Sequence, residues 1–86
     1  MFYVYIIQSE KGGSFYTGIT SNLNRRLAEH NKSDTKTTRS KKPWKLVYFE
    51  EAPSRIEARV REKFLKTGAG REFRNKFLAS QIIQPA

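Results

Sequence analysis

Residues 2–7, Phe2-Tyr3-Val4-Tyr5-Ile6-Ile7, are all aromatic or β-branched. Such side chains lose rotamer freedom in a helix and pack well on a pleated surface, so the run predicts a strand. A second run, Phe15-Tyr16-Thr17-Gly18-Ile19-Thr20, follows the turn cluster Glu10-Lys11-Gly12-Gly13-Ser14. Two glycines able to take positive φ make that cluster a reversal, and the pair reads as a hairpin with a loose connection. The hairpin constrains everything after it, because so few strands cannot build a core alone and need helices to cover them.

The later segments supply that cover. Ser21 or Asn22 offers an N-cap for a helix to about Asn31, with Leu23 and Leu27 as its apolar stripe. Residues 32–42 contain no apolar residue and read as an exposed loop, ended by Pro43 and Trp44. Lys45 to Glu50 reads as a third strand. Ser54 caps a helix reaching about Thr67, whose main apolar stripe is Ile56, Val60 and Phe64, with Ala58 and Leu65 as a narrower second one. Gly68-Ala69-Gly70 reads as its terminator, and Arg71 to Ile83 as a last helix with Phe73, Phe77 and Leu78 buried. The order β-β-α-β-α-α predicts an α+β fold, a small three-stranded antiparallel or mixed sheet flanked by helices. Eighty-six residues, 1–86, predict one domain.

Net charge is +9, from 17 Lys and Arg against 8 acids. That imbalance predicts attraction to polyanions, nucleic acid first. No helix pairs a basic face with the broad apolar face a membrane surface needs, and no apolar stretch approaches the roughly 20 residues that span a bilayer. With no cysteine, disulfides and thiolate metal sites are excluded. The N-terminus lacks a basic region and a small-residue cleavage site, so a cytoplasmic, soluble protein is expected.

Candidate site residues stand out against this background. Alternation puts Tyr3, Tyr5 and Ile7 on one face of the first strand, and Tyr16, Gly18 and Thr20 share a face of the second. If the hairpin sets Tyr5 opposite Tyr16, two phenols stand side by side, although aromatic cross-strand pairs are also ordinary packing. Gly18 would then let a phosphate backbone approach the phenol. Arg26 and His30, four apart on the first helix, stack at the margin of its contact with the sheet. Glu62 has a plain alternative as the ion-pair partner of Lys66 or Arg59, and Glu57 is a decoy on the same helix. A single carboxylate also suits Mg²⁺, which keeps several waters and takes substrate phosphates. Lys36, Arg39, Lys41 and Lys42, with Trp44 as a stacking ring, match an electrostatic track for nucleic acid. Arg71 to Arg74 and Asn75 can add polar contacts.

Taken together, Tyr3-Val4-Tyr5, Tyr16-Thr17-Gly18, Arg26, His30 and Glu62 resemble the motifs of the GIY-YIG nuclease family, closest to its small single-domain members. The glycine and isoleucine of the first motif are replaced by Tyr3 and Val4, and threonine stands in the middle of the second. The resemblance covers essentially the whole chain, and Asn75 is a possible match to a late asparagine of the family. It implies a metal-dependent endonuclease that hydrolyses phosphodiester bonds. Tyr16 would then be general base or relay, with Arg26 and a cation lowering a phenol pKa near 10. Glu62 would hold Mg²⁺ or Mn²⁺, Arg26 would bind a non-bridging oxygen, and Tyr5 and His30 would orient water and phosphate. Family members include homing endonucleases and the incision subunit of nucleotide excision repair. DNA is therefore favoured over RNA, with structure selectivity, little sequence preference and a protein partner for delivery. A non-catalytic nucleic-acid-binding module and an RNA-directed nuclease are the alternatives.

Overall fold

The computed structural model describes residues 1–32 and 41–83. β1 (Phe2–Ser9) and β2 (Phe15–Thr20) form the expected hairpin, and Gly13 takes φ of 80° in its connection. α1 (Leu23–Asn31) follows, its Asn22 side chain accepting from the Arg25 N–H. Beyond it come β3 (Trp44–Ala52), α2 (Arg55–Leu65) and α3 (Gly68–Ile83). The sheet order is β2-β1-β3, and both pairings are antiparallel. The β1 strand, richest in β-branched and aromatic residues, thus takes the centre, where both of its faces are covered. Among the described residues no helix is long and apolar enough to cross a membrane.

Alternation along β1 splits the interior in two. Val4 and Ile6 pack with Ala52, Ala58 and Leu65 beneath α2 and α3. Tyr5 and Ile7 pack with Trp44, Tyr16, Leu23 and Leu27 on the α1 side. A register shift in the β1–β3 pairing pairs Ile6 with Tyr48 but Ile7 with Leu46, making Val47 the extra residue. That irregularity lets neighbouring Val47 and Tyr48 both pack against the Val4–Ile6 cluster.

Two helical expectations need correction. Gly68 and Gly70 do not terminate α2 but open α3. A Cβ at Gly70 would collide with the Phe64 carbonyl oxygen and lie 2.5 Å from Leu65 Cα, so this glycine permits close approach of α3 to α2. The stripes on α2 are also reversed: Ala58 and Leu65 are buried, whereas Ile56 and Val60 are 77% and 66% exposed. Small Ala58 brings the helix backbone close to the sheet, which turns the row of larger side chains outward.

Candidate active site

The hairpin register places Tyr5 opposite Gly18 and Tyr16 opposite Ile7. The two phenols are therefore diagonal neighbours with ring centroids 6.4 Å apart, not the direct cross-strand pair expected from sequence. Gly18 also has a different task. A Cβ there would lie 2.7 Å from the Tyr5 oxygen and 2.9 Å from its Cζ. The space above Gly18 belongs to the Tyr5 ring, not to an approaching phosphate.

Behind that phenol lies His30, fully buried, with Nε2 2.9 Å from the Tyr5 oxygen. Its ring meets Tyr16 at 5.0 Å between centroids. Although Arg26 and His30 share a helix row, only His30 is enclosed; the Arg26 side chain is 32% exposed at the rim. The C-terminal end of α1 is clasped to β3, since Asn31 accepts from the Trp44 N–H at 2.6 Å and donates to the Trp44 carbonyl at 3.0 Å. This clasp closes the sheet over His30.

Electrostatics ties the group together. Burial pushes the Tyr5 phenol up to about 12, opposed by the neighbouring Arg26 and reinforced by Tyr16 and Glu62. Burial, then the Arg26 charge, lowers the His30 pKa, which keeps the imidazole neutral at pH 7. Arg26 has only donors, so the phenol oxygen accepts from it while also sharing a hydrogen bond with Nε2. Arg26 is held from the other side by Glu29, with Nη1 2.9 Å from Oε1. From sequence Glu29 lies further round toward solvent and outside the site, although its i, i+3 spacing from Arg26 signals the pair.

Glu62 sits on α2 with its side chain only 12% exposed, 3.1 Å from Lys66 and 3.8 Å from Arg59. Both ion pairs weighed from sequence are formed. Their cationic partners are largely exposed, so exchanging them for another cation costs little. Glu57 is exposed in the first turn of α2, where its backbone N–H donates to Ser54 Oγ at 3.3 Å. Among the described residues no three His, Asp or Glu side chains form a metal-binding group. A cation here would rest on Glu62, water and substrate oxygens, the sparse ligation Mg²⁺ accepts.

The track is placed less as expected. Lys36 and Arg39 lie outside the described residues, while Lys41 and Lys42 are exposed, with Lys41 Nζ 3.4 Å from Ser14 Oγ. Trp44 is not a surface stacking ring. It is 4% exposed, buried with Tyr5 and Ile7 and in contact with Tyr16 at 6.4 Å between centroids. An indole offers much apolar area to bury, and Asn31 holds the Trp44 backbone on both its N–H and its carbonyl.

The sequence profile of the GIY-YIG catalytic domain matches residues 1–76. The chain belongs to the GIY-YIG family, a family of nucleases. It is 47% identical over 66 residues to a UPF0213 protein of Desulfotalea psychrophila, covering 74% of this chain and 59% of that relative's length. A UPF0213 protein of Clostridium perfringens is 46% identical over 67 residues, 77% of this chain and 71% of its own. Among solved structures, the solution structure of a UPF0213 protein from Bacillus halodurans is similar at 34% identity. Its TM-score is 0.53, with 88% of this chain and 84% of that one covered.

Proposed function

We propose that this GIY-YIG chain is a metal-dependent endonuclease that hydrolyses phosphodiesters in DNA, selecting structure over sequence. The observation that carries this reading is the meeting of Tyr16, Arg26 and His30 around one buried phenol, Tyr5, whose pKa the Glu62 charge also helps to raise. Two layers divide the work. Tyr5 holds its proton well above neutral pH and His30 is sealed from solvent, so neither takes a proton from bulk water. Together they fix one another and Arg26 in place. His30, which acts through Tyr5, is a positioning residue.

Tyr16, Arg26 and Glu62 reach the rim and are the groups a substrate can touch. Arg26 binds a non-bridging phosphate oxygen, where its charge stabilises the transition state more than the ground state. Tyr16 relays the proton of the attacking water, giving up its own phenolic proton to solvent as it accepts that one. Glu62 is the residue that would hold Mg²⁺ or Mn²⁺, and such an ion, when bound, supplies charge neutralisation at the phosphate and the leaving oxygen. Exposed Lys41 and Lys42 and the +9 balance support a polyanionic substrate.

The test is incubation of end-labelled single-stranded, duplex and branched DNA with the protein and Mg²⁺ or Mn²⁺, with matched RNA alongside. Cleavage that disappears with EDTA, with Glu62→Ala and with Tyr16→Phe is expected, branched DNA being cut fastest. Binding without cleavage, or cleavage untouched by both substitutions, would overturn the assignment.

A further inference from the structure

Beside Tyr16, on the side away from His30, lies an open pocket of about 230 Å³ lined by Phe15, Thr17, Lys66, Arg71 and Arg74 as well as Tyr16 itself. Its charged lining is wholly cationic. Lys66 comes from the end of α2, and Arg71 and Arg74 from the first turns of α3, which Gly70 brings against α2. Lys66 also joins the pocket to the site through its 3.1 Å pair with Glu62.

Arg74 is posed in a particular way. Its guanidinium lies 3.8 Å from the centroid of the Phe15 ring. Nε and Nη2 both donate to Asn75 Oδ1, at 3.2 and 3.1 Å. Among the described residues the other three of its five N–H donors have no hydrogen-bond partner. Among the described residues no carboxylate pairs with Arg74 or Arg71. Burial and the Arg71 charge both lower the Arg74 pKa, so two like charges are held together with no anion between them. A planar donor fork fixed by a ring and an amide, beside a second arginine, matches a phosphate.

We infer that the Lys66–Arg71–Arg74 pocket is a phosphate-binding subsite, which seats a backbone phosphodiester flanking the one cleaved at Tyr16. This deepens the nuclease reading and rests on it for the word flanking. It directs the polynucleotide from Tyr16 across the α2–α3 junction, and it gives Asn75 a task, orienting Arg74.

The probe is a fluorescein-labelled 15-mer duplex, titrated by anisotropy in EDTA at several salt concentrations, so binding is read without cleavage. Arg71→Gln/Arg74→Gln should weaken binding roughly tenfold or more and make the salt slope shallower by about 1 per arginine. Lys63→Gln/Lys76→Gln removes the same charge from exposed positions that do not line the pocket and should change the slope far less. Arg71→Gln alone alters an exposed side chain, so its loss of about 1 in slope cannot come from misfolding. Equal effects of the two double variants, or no binding by the parent chain, would overturn the subsite. A differential loss of binding in a protein that never cleaves would keep the subsite and remove the nuclease.

Discussion

The two faces of the central strand obey different rules although their residues alternate one by one. Val4 and Ile6 look toward α2 and α3 and pack into a cluster with Ala52, Ala58 and Leu65, side chains whose task is burial. Tyr5, one position along, looks toward α1 and is as deeply buried at 2% exposure, yet its oxygen is engaged by His30 and Arg26. Burying a polar group costs free energy unless it is hydrogen-bonded, so the second face stays stable only while its network is complete. The Val4 and Ile6 side chains serve burial alone, whereas the Tyr5 side chain is both core and part of the candidate site.

Substitutions should separate the two tasks. Ile6→Ala opens a cavity in the apolar face and should cost about 2–5 kcal/mol, read by denaturant unfolding, with the cleavage rate per folded molecule unchanged. Gly18→Ala should do the reverse. Its Cβ would displace the Tyr5 phenol from His30, at a stability cost of about 1–3 kcal/mol from overpacking. A misplacement approaching 1 Å can cost ~100-fold, so single-turnover cleavage should drop by about that factor. Gly18→Ala cleaving at the parent rate would show that the site tolerates movement of Tyr5.

The pH dependence of stability should distinguish the faces as well, with a smaller effect. His30 has a folded pKa below its unfolded value near 6.5, so the unfolded chain binds the proton more readily. Stability from this group is complete above about pH 6.5 and declines as the pH falls below it. Tyr5 is shifted the opposite way for an acid that must stay neutral. Its contribution is complete below about pH 10 and is lost as the pH rises through about 12. Burial and Glu50 raise the Tyr48 pKa too, which adds to the alkaline limb from the other face. Thermal melts of His30→Gln should therefore show a flatter acid limb than the parent, and Tyr5→Phe a partly flattened alkaline one. An unchanged acid limb in His30→Gln would mean that His30 is not the group responsible.

Much of this arrangement is legible in the sequence. The hairpin, the helix caps at Asn22 and Ser54 and the apolar pair Leu23 and Leu27 follow from local chemistry, and local chemistry is what a sequence states directly. Spacing on α1 also put Arg26 and His30 beside the tyrosines. What it could not state was register: Tyr5 meets Gly18 and not Tyr16 because strand pairing is set by the whole hairpin and not by either motif. Trp44 misled for a related reason. Its neighbours Lys41 and Lys42 are exposed, and the pairing of Trp44 with Ser9 on β1 sets the indole beside Tyr5 and Ile7. The pocket cations Lys66 and Arg71 stand on two helices, and their convergence depends on the close crossing at Gly70.

The outward row on α2 is where hydrophobicity alone pointed the wrong way, and it yields the smallest expected effect. Ile56, Val60 and Phe64 recur at i, i+4 and i+8, the pattern of a buried stripe, yet the helix rests on Ala58 and Leu65 about half a turn away. What selects the contact face is the depth to which the backbone can settle. Ala58, with no exposed surface, lets α2 approach the sheet, and Gly70 lets α3 approach α2. Ile56→Ser and Val60→Ser should thus stay within about 0.5 kcal/mol of the parent in urea unfolding. Ala58→Leu, more hydrophobic than the residue it replaces, should cost about 1–3 kcal/mol or more by lifting the helix. If Ile56→Ser instead proved the more damaging substitution, the larger row would be buried in solution and the close approach at Ala58 would not be what sets the helix face.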